Sequence, residues 1–133
     1  MIGLSTDLWM LLAATIWCVS LTGPLVLGRT LTPGGLAWGM GNRDEPFELP
    51  AWHDRAQRAH TNMVENLAPF AVLVLVAHVT GRANEITAMA SVAFLAFRIA
   101  HGVSYMMGLV PWRTVAHTAS VLALFVLLAA ITV

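Results

Sequence analysis

The sequence predicts an all-α protein held in a membrane, an integral four-helix bundle built by residues 1–133 as one domain. Two compositional facts and one pattern predict it. Hydrophobic residues make up 58% of the chain and charged residues only 11%, against about 25% charged in a typical soluble domain. Net charge is zero, which removes any electrostatic case for a nucleic acid or acidic partner. Stretches at 8–27, 52–79, 85–108 and 112–131 are long enough to cross a hydrocarbon core of about 30 Å.

The first span, Leu8 to Leu27, has no charge after Asp7. No basic region precedes it and no small-residue cleavage site follows it, so it is expected to be a retained helix. Gly23 and Pro24 predict a bend near its end. Residues 28–51 carry Pro33, Gly34, Gly35, Gly39, Gly41 and the charged run Arg43-Asp44-Glu45, and read as the longest loop. The second helix, from near Trp52 to Val79, is uniformly apolar only from Leu67 to Ala77. Its first part holds Asp54, Arg55, Arg58, His60, Asn62 and Glu65. Thr80-Gly81-Arg82 closes it. The third span contains Arg98 and His101. The turn Leu109-Val110-Pro111 leads to the fourth, which is apolar beyond His117.

Orientation follows from the arginines. Arg29, Arg43 and Arg55 lie in or beside the connection between spans one and two, and Arg113 follows the turn between spans three and four. The opposite side has only Arg82. Positive-inside counting therefore puts these two connections in the cytoplasm and both termini on the other side. Trp38, Trp52 and Trp112 fall near the same cytoplasmic boundary, as interfacial aromatics do.

All seven basic residues are arginine and none is lysine. Coding bias is one reading. A site needing planar, permanently charged forks for carboxylates is another. On the second helix, Arg55, Arg58, Asn62 and Glu65 fall within an arc of about 80°, and Pro69 continues the stripe. On the third, Arg98, His101 and Tyr105 fall within about 60°. An ionised side chain at a helix centre costs roughly 2.5–3.5 kcal/mol on insertion scales. Such stripes must face each other, water or a neighbouring subunit. Ion pairs of Glu65 with Arg58 or Arg98 would give them a purely structural role. The count is unbalanced, however. Arg55, Arg58, Arg98 and Arg113 face one intramembrane acid, Glu65, and the surplus suggests an anionic ligand. Cys18 is alone, and no histidines have zinc-site spacing, so no metal is expected.

Two runs carry a family resemblance. Arg55-Ala-Gln-Arg58-Ala-His60-Thr-Asn62-Met-Val-Glu65, followed by Pro69-Phe70, resembles the second-helix signature of the membrane-associated proteins in eicosanoid and glutathione metabolism. Arg98-Ile-Ala-His101-Gly-Val-Ser-Tyr105 and Pro111-Trp-Arg113-Thr114 resemble the third helix and following turn of that family. The likeness is to its microsomal prostaglandin E synthase and microsomal glutathione transferase branch. It implies a homotrimer with glutathione bound between subunits near the cytoplasmic face. Matching positions would make Arg58, Asn62, Glu65, His101 and Tyr105 glutathione-binding, with Arg55 and Arg98 beside them. Arg113 and Thr114 would act at the thiol, and Arg29 would reach in from the adjacent subunit. Two positions depart from the branch: Thr61 stands in place of a basic residue, and His117 in place of a tyrosine.

The resulting expectation is a membrane-bound glutathione-dependent transferase or peroxidase for lipophilic electrophiles. The alternative within the same family is a non-catalytic scaffold that binds lipids or stabilises a membrane complex. A small proton-coupled exporter also has four spans. It needs a membrane-buried acid in its first helix, where this chain has none after Asp7.

Overall fold

A computed structural model describes residues 3–133. Its helices are α1 (Thr6–Ser20), α2 (Thr22–Leu31), α3 (Gly35–Met40), α4 (Ala51–Val79), α5 (Glu85–Met107) and α6 (Val110–Thr132). Thr6–Leu31, α4, α5 and α6 are each long and apolar enough to cross a membrane. Among the described residues there is no strand. The all-α, four-span architecture follows from the composition as expected.

Ser5 opens α1, its Oγ accepting from the Leu8 N–H at 3.5 Å. The helix stops at Ser20 because of Pro24. Proline has no N–H, and its ring crowds the carbonyl four residues back, which here is that of Ser20. The Ser20 and Thr22 hydroxyls donate to the Trp17 and Val19 carbonyls, each at 2.7 Å, and so satisfy backbone acceptors beside the break. The bend therefore falls at Leu21, ahead of Gly23, and helix continues to Leu31 rather than ending at Leu27. In α2, Gly28 lies against α4. A Cβ there would stand 2.6 Å from Cδ2 of His53, so only glycine permits the contact.

The segment expected to be loop is more ordered than its glycines suggested. Residues 28–31 belong to α2, and Gly35–Met40 forms the short α3. Trp38 organises the rest. Its ring stacks on Phe47 at 5.5 Å, its indole N–H donates to the Glu45 carbonyl at 2.7 Å, and Arg43 lies over it at 5.8 Å.

Pro69 lies inside α4 and leaves the Glu65 carbonyl without its helical donor. A capping box of Asn84 and Thr87 starts α5. In the turn before it, Arg82 donates from Nη1 to the Ile131 carbonyl at 2.8 Å, which caps the end of α6. At the opposite end, Gly108 takes φ 76°, a left-handed conformation that closes α5 and reverses the chain. Pro111 was expected in that turn. It instead sits in the first turn of α6, where a missing N–H leaves no bond unmade.

The core lies where α1, α4, α5 and α6 meet. Phe70 and Phe94 stack with centroids 4.1 Å apart, and Ala14, Val74, Ala77, Ala90 and Leu127 pack around them. Small residues at these contacts let the backbones approach closely. Ile16, Met89 and Phe125 face outward, as lipid-facing side chains do. The first half of α4, the last half of α5 and the start of α6 converge at one end of the bundle, and the polar residues gather there.

Candidate functional site

Two adjoining cavities open at this end. The larger, about 430 Å³, is lined by Asp54, Arg55 and Arg58 from α4, Tyr105 from α5 and Arg113 from α6, among others. The smaller, about 160 Å³, is lined by Asn62, His101, Arg113, Thr114 and His117. Arg113 lines both and so joins them.

Local packing fixes these side chains. Arg113 lies over the Tyr105 ring, its Cζ 4.6 Å from the centroid, within the range of a cation–π contact. His101 is buried, meets Tyr105 edge-on at 5.5 Å, and stands 5.6 Å from the His117 ring. Arg55 donates from Nε to the Met106 carbonyl at 3.1 Å, close to the end of α5, where cationic side chains satisfy open carbonyls. Arg98 lies behind the smaller cavity and is only 1% exposed. Its Nη2 donates to Asn62 Oδ1 at 2.9 Å, while its Nε and Nη1 are buried without a partner.

The charge balance at this end is positive. Among the described residues the one close contact between a basic and an acidic side chain is His53 with Asp54, at 3.7 Å. Neither Arg58 nor Arg98 pairs with Glu65. The purely structural reading, in which these charges hold helices together as ion pairs, is not what the chain forms. Arg55, Arg58, Arg98 and Arg113 are left without a carboxylate partner, which is the arrangement expected of a pocket for an anion.

The structure thus brings together Arg55, Arg58, Asn62, His101, Tyr105, Arg113 and Thr114, with Arg98 behind them. It does not bring Arg29 or Glu65 to either cavity. Glu65 is exposed on α4, one turn beyond Asn62. Arg29 folds beneath α3, where a Cβ on Gly39 would meet its Cδ at 2.8 Å, and its Nε is buried without a partner.

Three residues gain importance that the sequence did not give them. His117, named in the sequence only as a departure from a tyrosine, lines the smaller cavity with Arg113 and Thr114. Its spacing of four from Arg113 was the available signal. His53 is buried between α2 and α4. Asp7, the last charge before the first span, is 3% exposed and accepts from Ser91 Oγ at 3.0 Å.

A third cavity, about 410 Å³, continues along the groove between α4 and α6. Pro69, Val72, Leu73, Val121, Leu124 and Phe125 line it, and its walls are almost wholly apolar. It starts one helical turn beyond His117. Among the described residues no three histidine, cysteine or carboxylate side chains cluster as metal ligands do.

Fold and site together define a four-helix membrane protein with an arginine-lined pocket at one end and an apolar groove beside it. The chain belongs to the MAPEG family, whose model matches residues 8–133. It matches no curated protein and no solved structure.

Proposed function

We propose that the chain is a glutathione-dependent transferase or peroxidase acting on lipophilic electrophiles. The observation that carries this reading is the pocket itself, with the guanidiniums of Arg55, Arg58 and Arg113 on its walls, that of Arg98 behind the adjoining cavity, and no carboxylate paired to any of them. Glutathione has two carboxylates, an amine and a thiol. Arginine holds a carboxylate through two parallel hydrogen bonds, so Arg55 and Arg58 suit the carboxylates. Asn62 and Tyr105 supply neutral hydrogen-bonding groups on adjacent walls. Arg113, which touches both cavities, stands at the thiol. A free thiol titrates near 8.5, and an adjacent cation favours the thiolate, which is the nucleophile. The Thr114 hydroxyl adds a donor beside it.

The apolar groove between α4 and α6 supports a lipophilic co-substrate that enters from the bilayer and meets the sulfur at the groove's polar end. Bond formation at that sulfur gives conjugation, peroxide reduction or isomerisation according to the electrophile. Glu65 and Arg58 are exposed on one chain. We therefore propose a homotrimer in which a neighbour covers them, Glu65 takes the glutathione amine and Arg29 reaches the site from the adjacent subunit. The pocket end would face the cytoplasm, with both termini opposite.

Calorimetry with glutathione on the purified protein in detergent, together with a conjugation assay, tests the reading. Arg113→Ala should lower kcat/KM by about a hundredfold, the usual loss when one stabiliser of a developing charge is removed. Affinity for S-methylglutathione, which has no thiol, should change only slightly. Absence of glutathione binding by the wild type at millimolar concentration would reject it. Co-purification of a stoichiometric membrane-protein partner, without thiol chemistry, would favour a scaffold.

A further inference from the structure

The smaller cavity offers more than a cation to a bound sulfur. Arg113, Thr114 and His117 share one face of α6 and all line it. The imidazole of His117 is half-buried, and its Nδ1 is wholly enclosed with no hydrogen-bond partner. Nε2 is not enclosed in this way, and the residue lines the cavity. His101 packs at 5.6 Å and limits how the ring turns.

We propose that His117 is a further catalytic residue, an uncharged hydrogen-bond donor to the thiolate, which acts from Nε2 beside the Arg113 guanidinium. The inference rests on the glutathione reading above. A neutral imidazole carries one proton, on either nitrogen. A donor role requires that proton on Nε2, and the negative sulfur selects that tautomer. The surroundings favour an uncharged donor over a proton acceptor. The Arg113 guanidinium already lines this cavity, that of Arg98 lies behind it on Asn62, and no carboxylate lines it to offset an imidazolium. A neutral donor stabilises the anion without adding a third positive charge.

The proton balance is simple. The thiol S–H bond breaks and its proton passes to water, while the sulfur keeps the electron pair. In conjugate addition the S–C bond forms, the π pair moves to the neighbouring carbon, and that carbon takes a proton from water. His117 gains and loses no proton. It holds the sulfur charge until the bond forms.

This role separates from that of a general base by substitution. Glutamine and asparagine donate an N–H but take up no proton, and phenylalanine does neither. The experiment compares wild type, His117→Gln, His117→Asn and His117→Phe in detergent. It measures the ultraviolet absorbance of bound thiolate, the rate of conjugation and the affinity for S-methylglutathione. His117→Phe should lower thiolate formation and rate by about tenfold or more, with S-methylglutathione affinity kept. At least one of the two amide variants should recover most of the loss. A phenylalanine variant that forms thiolate as the wild type does overturns the proposal. So does failure of both amide variants to surpass phenylalanine while binding S-methylglutathione normally. If the wild type binds neither glutathione nor its S-methyl derivative, the underlying reading fails and this one with it.

Discussion

Replacing Asn62 by alanine removes the one hydrogen bond that the Arg98 guanidinium makes among the described residues. Arg98 is 1% exposed, and its Nε and Nη1 already lack partners. Two magnitudes compete. Hydrogen bonds to charged groups in soluble proteins contribute about 1.5–3 kcal/mol. Side-chain hydrogen bonds inside membrane proteins average about 0.6 and reach about 1.7 kcal/mol, because an unfolded helix in lipid finds other partners. Arg98 belongs near the upper end of the membrane range, since its charge is permanent and its surroundings offer no second acceptor. Asn62→Ala should therefore destabilise the fold by about 1.5–2 kcal/mol. Arg98→Met should cost much less. It removes the charge together with the need to pair it, and replacing buried ions by apolar side chains is often neutral or stabilising. In the double variant the effect of Asn62→Ala should nearly vanish, which leaves a coupling of about 1–2 kcal/mol. Reversible unfolding of the four proteins in mixed micelles, followed by tryptophan fluorescence, measures it. Effects that add to within about 0.5 kcal/mol would refute the assignment of Asn62 as the partner holding Arg98.

Two further substitutions test the packing that supports the site. Gly28→Ala places a Cβ 2.6 Å from the buried His53 ring. It should destabilise by about 1–3 kcal/mol, as overpacking does, and His53→Ala should recover most of that in a thermal unfolding series. Ser91→Ala strips the buried Asp7 carboxylate of its side-chain donor and should cost about 1–3 kcal/mol. On an Asp7→Leu background the same change should be close to silent, and a loss equal to that in the wild type would show that the pair contributes nothing.

Hydropathy gave the spans because lipid leaves a chain few ways to satisfy its backbone. Arg55, Arg58, Asn62, His101, Tyr105, Arg113 and Thr114 were legible as a group, since helical periodicity puts the first three on one stripe and the turn at Gly108 returns α6 beside α5. What periodicity cannot give is depth within the bundle. Arg98 and Arg58 carry the same charge, yet one is buried and the other exposed. The difference depends on which flank of each stripe meets a neighbouring helix. The bend at Leu21 was misplaced by a few residues because proline acts on the carbonyl of the preceding turn rather than at its own position. The order within 28–51 was hidden because it comes from one tryptophan meeting Phe47 and Glu45 across a gap in sequence. The burial of Asp7 and the place of His117 in the smaller cavity were hidden because their surroundings are set by α4 and α5.

The depth of these residues bears on how one pocket would serve two substrates of opposite solubility. α4 has 29 residues, about 43 Å of helix at 1.5 Å per residue, against a hydrocarbon core of about 30 Å. The surplus of about 13 Å belongs to the end that carries Asp54, Arg55 and Arg58, since the other end of α4 is apolar but for His78. Those charges then sit near the interface, where an ionised group costs little. Arg113 lies about 5 Å along α6 from its start, and Asn62 about 17 Å along α4. The apolar groove begins beyond both, at Pro69 and Val121. Along the cavity walls polarity thus falls with depth, from Arg55, Arg58 and Arg113 at the rim, through Asn62 and the two histidines, to the apolar groove. An anionic, water-soluble thiol entering from the interface would stop where the arginines end. A lipophilic electrophile entering from the bilayer would stop where the groove meets His117. On the glutathione reading the two meet in the smaller cavity, between Arg113 and Thr114 on the polar side and His117 on the side of the groove.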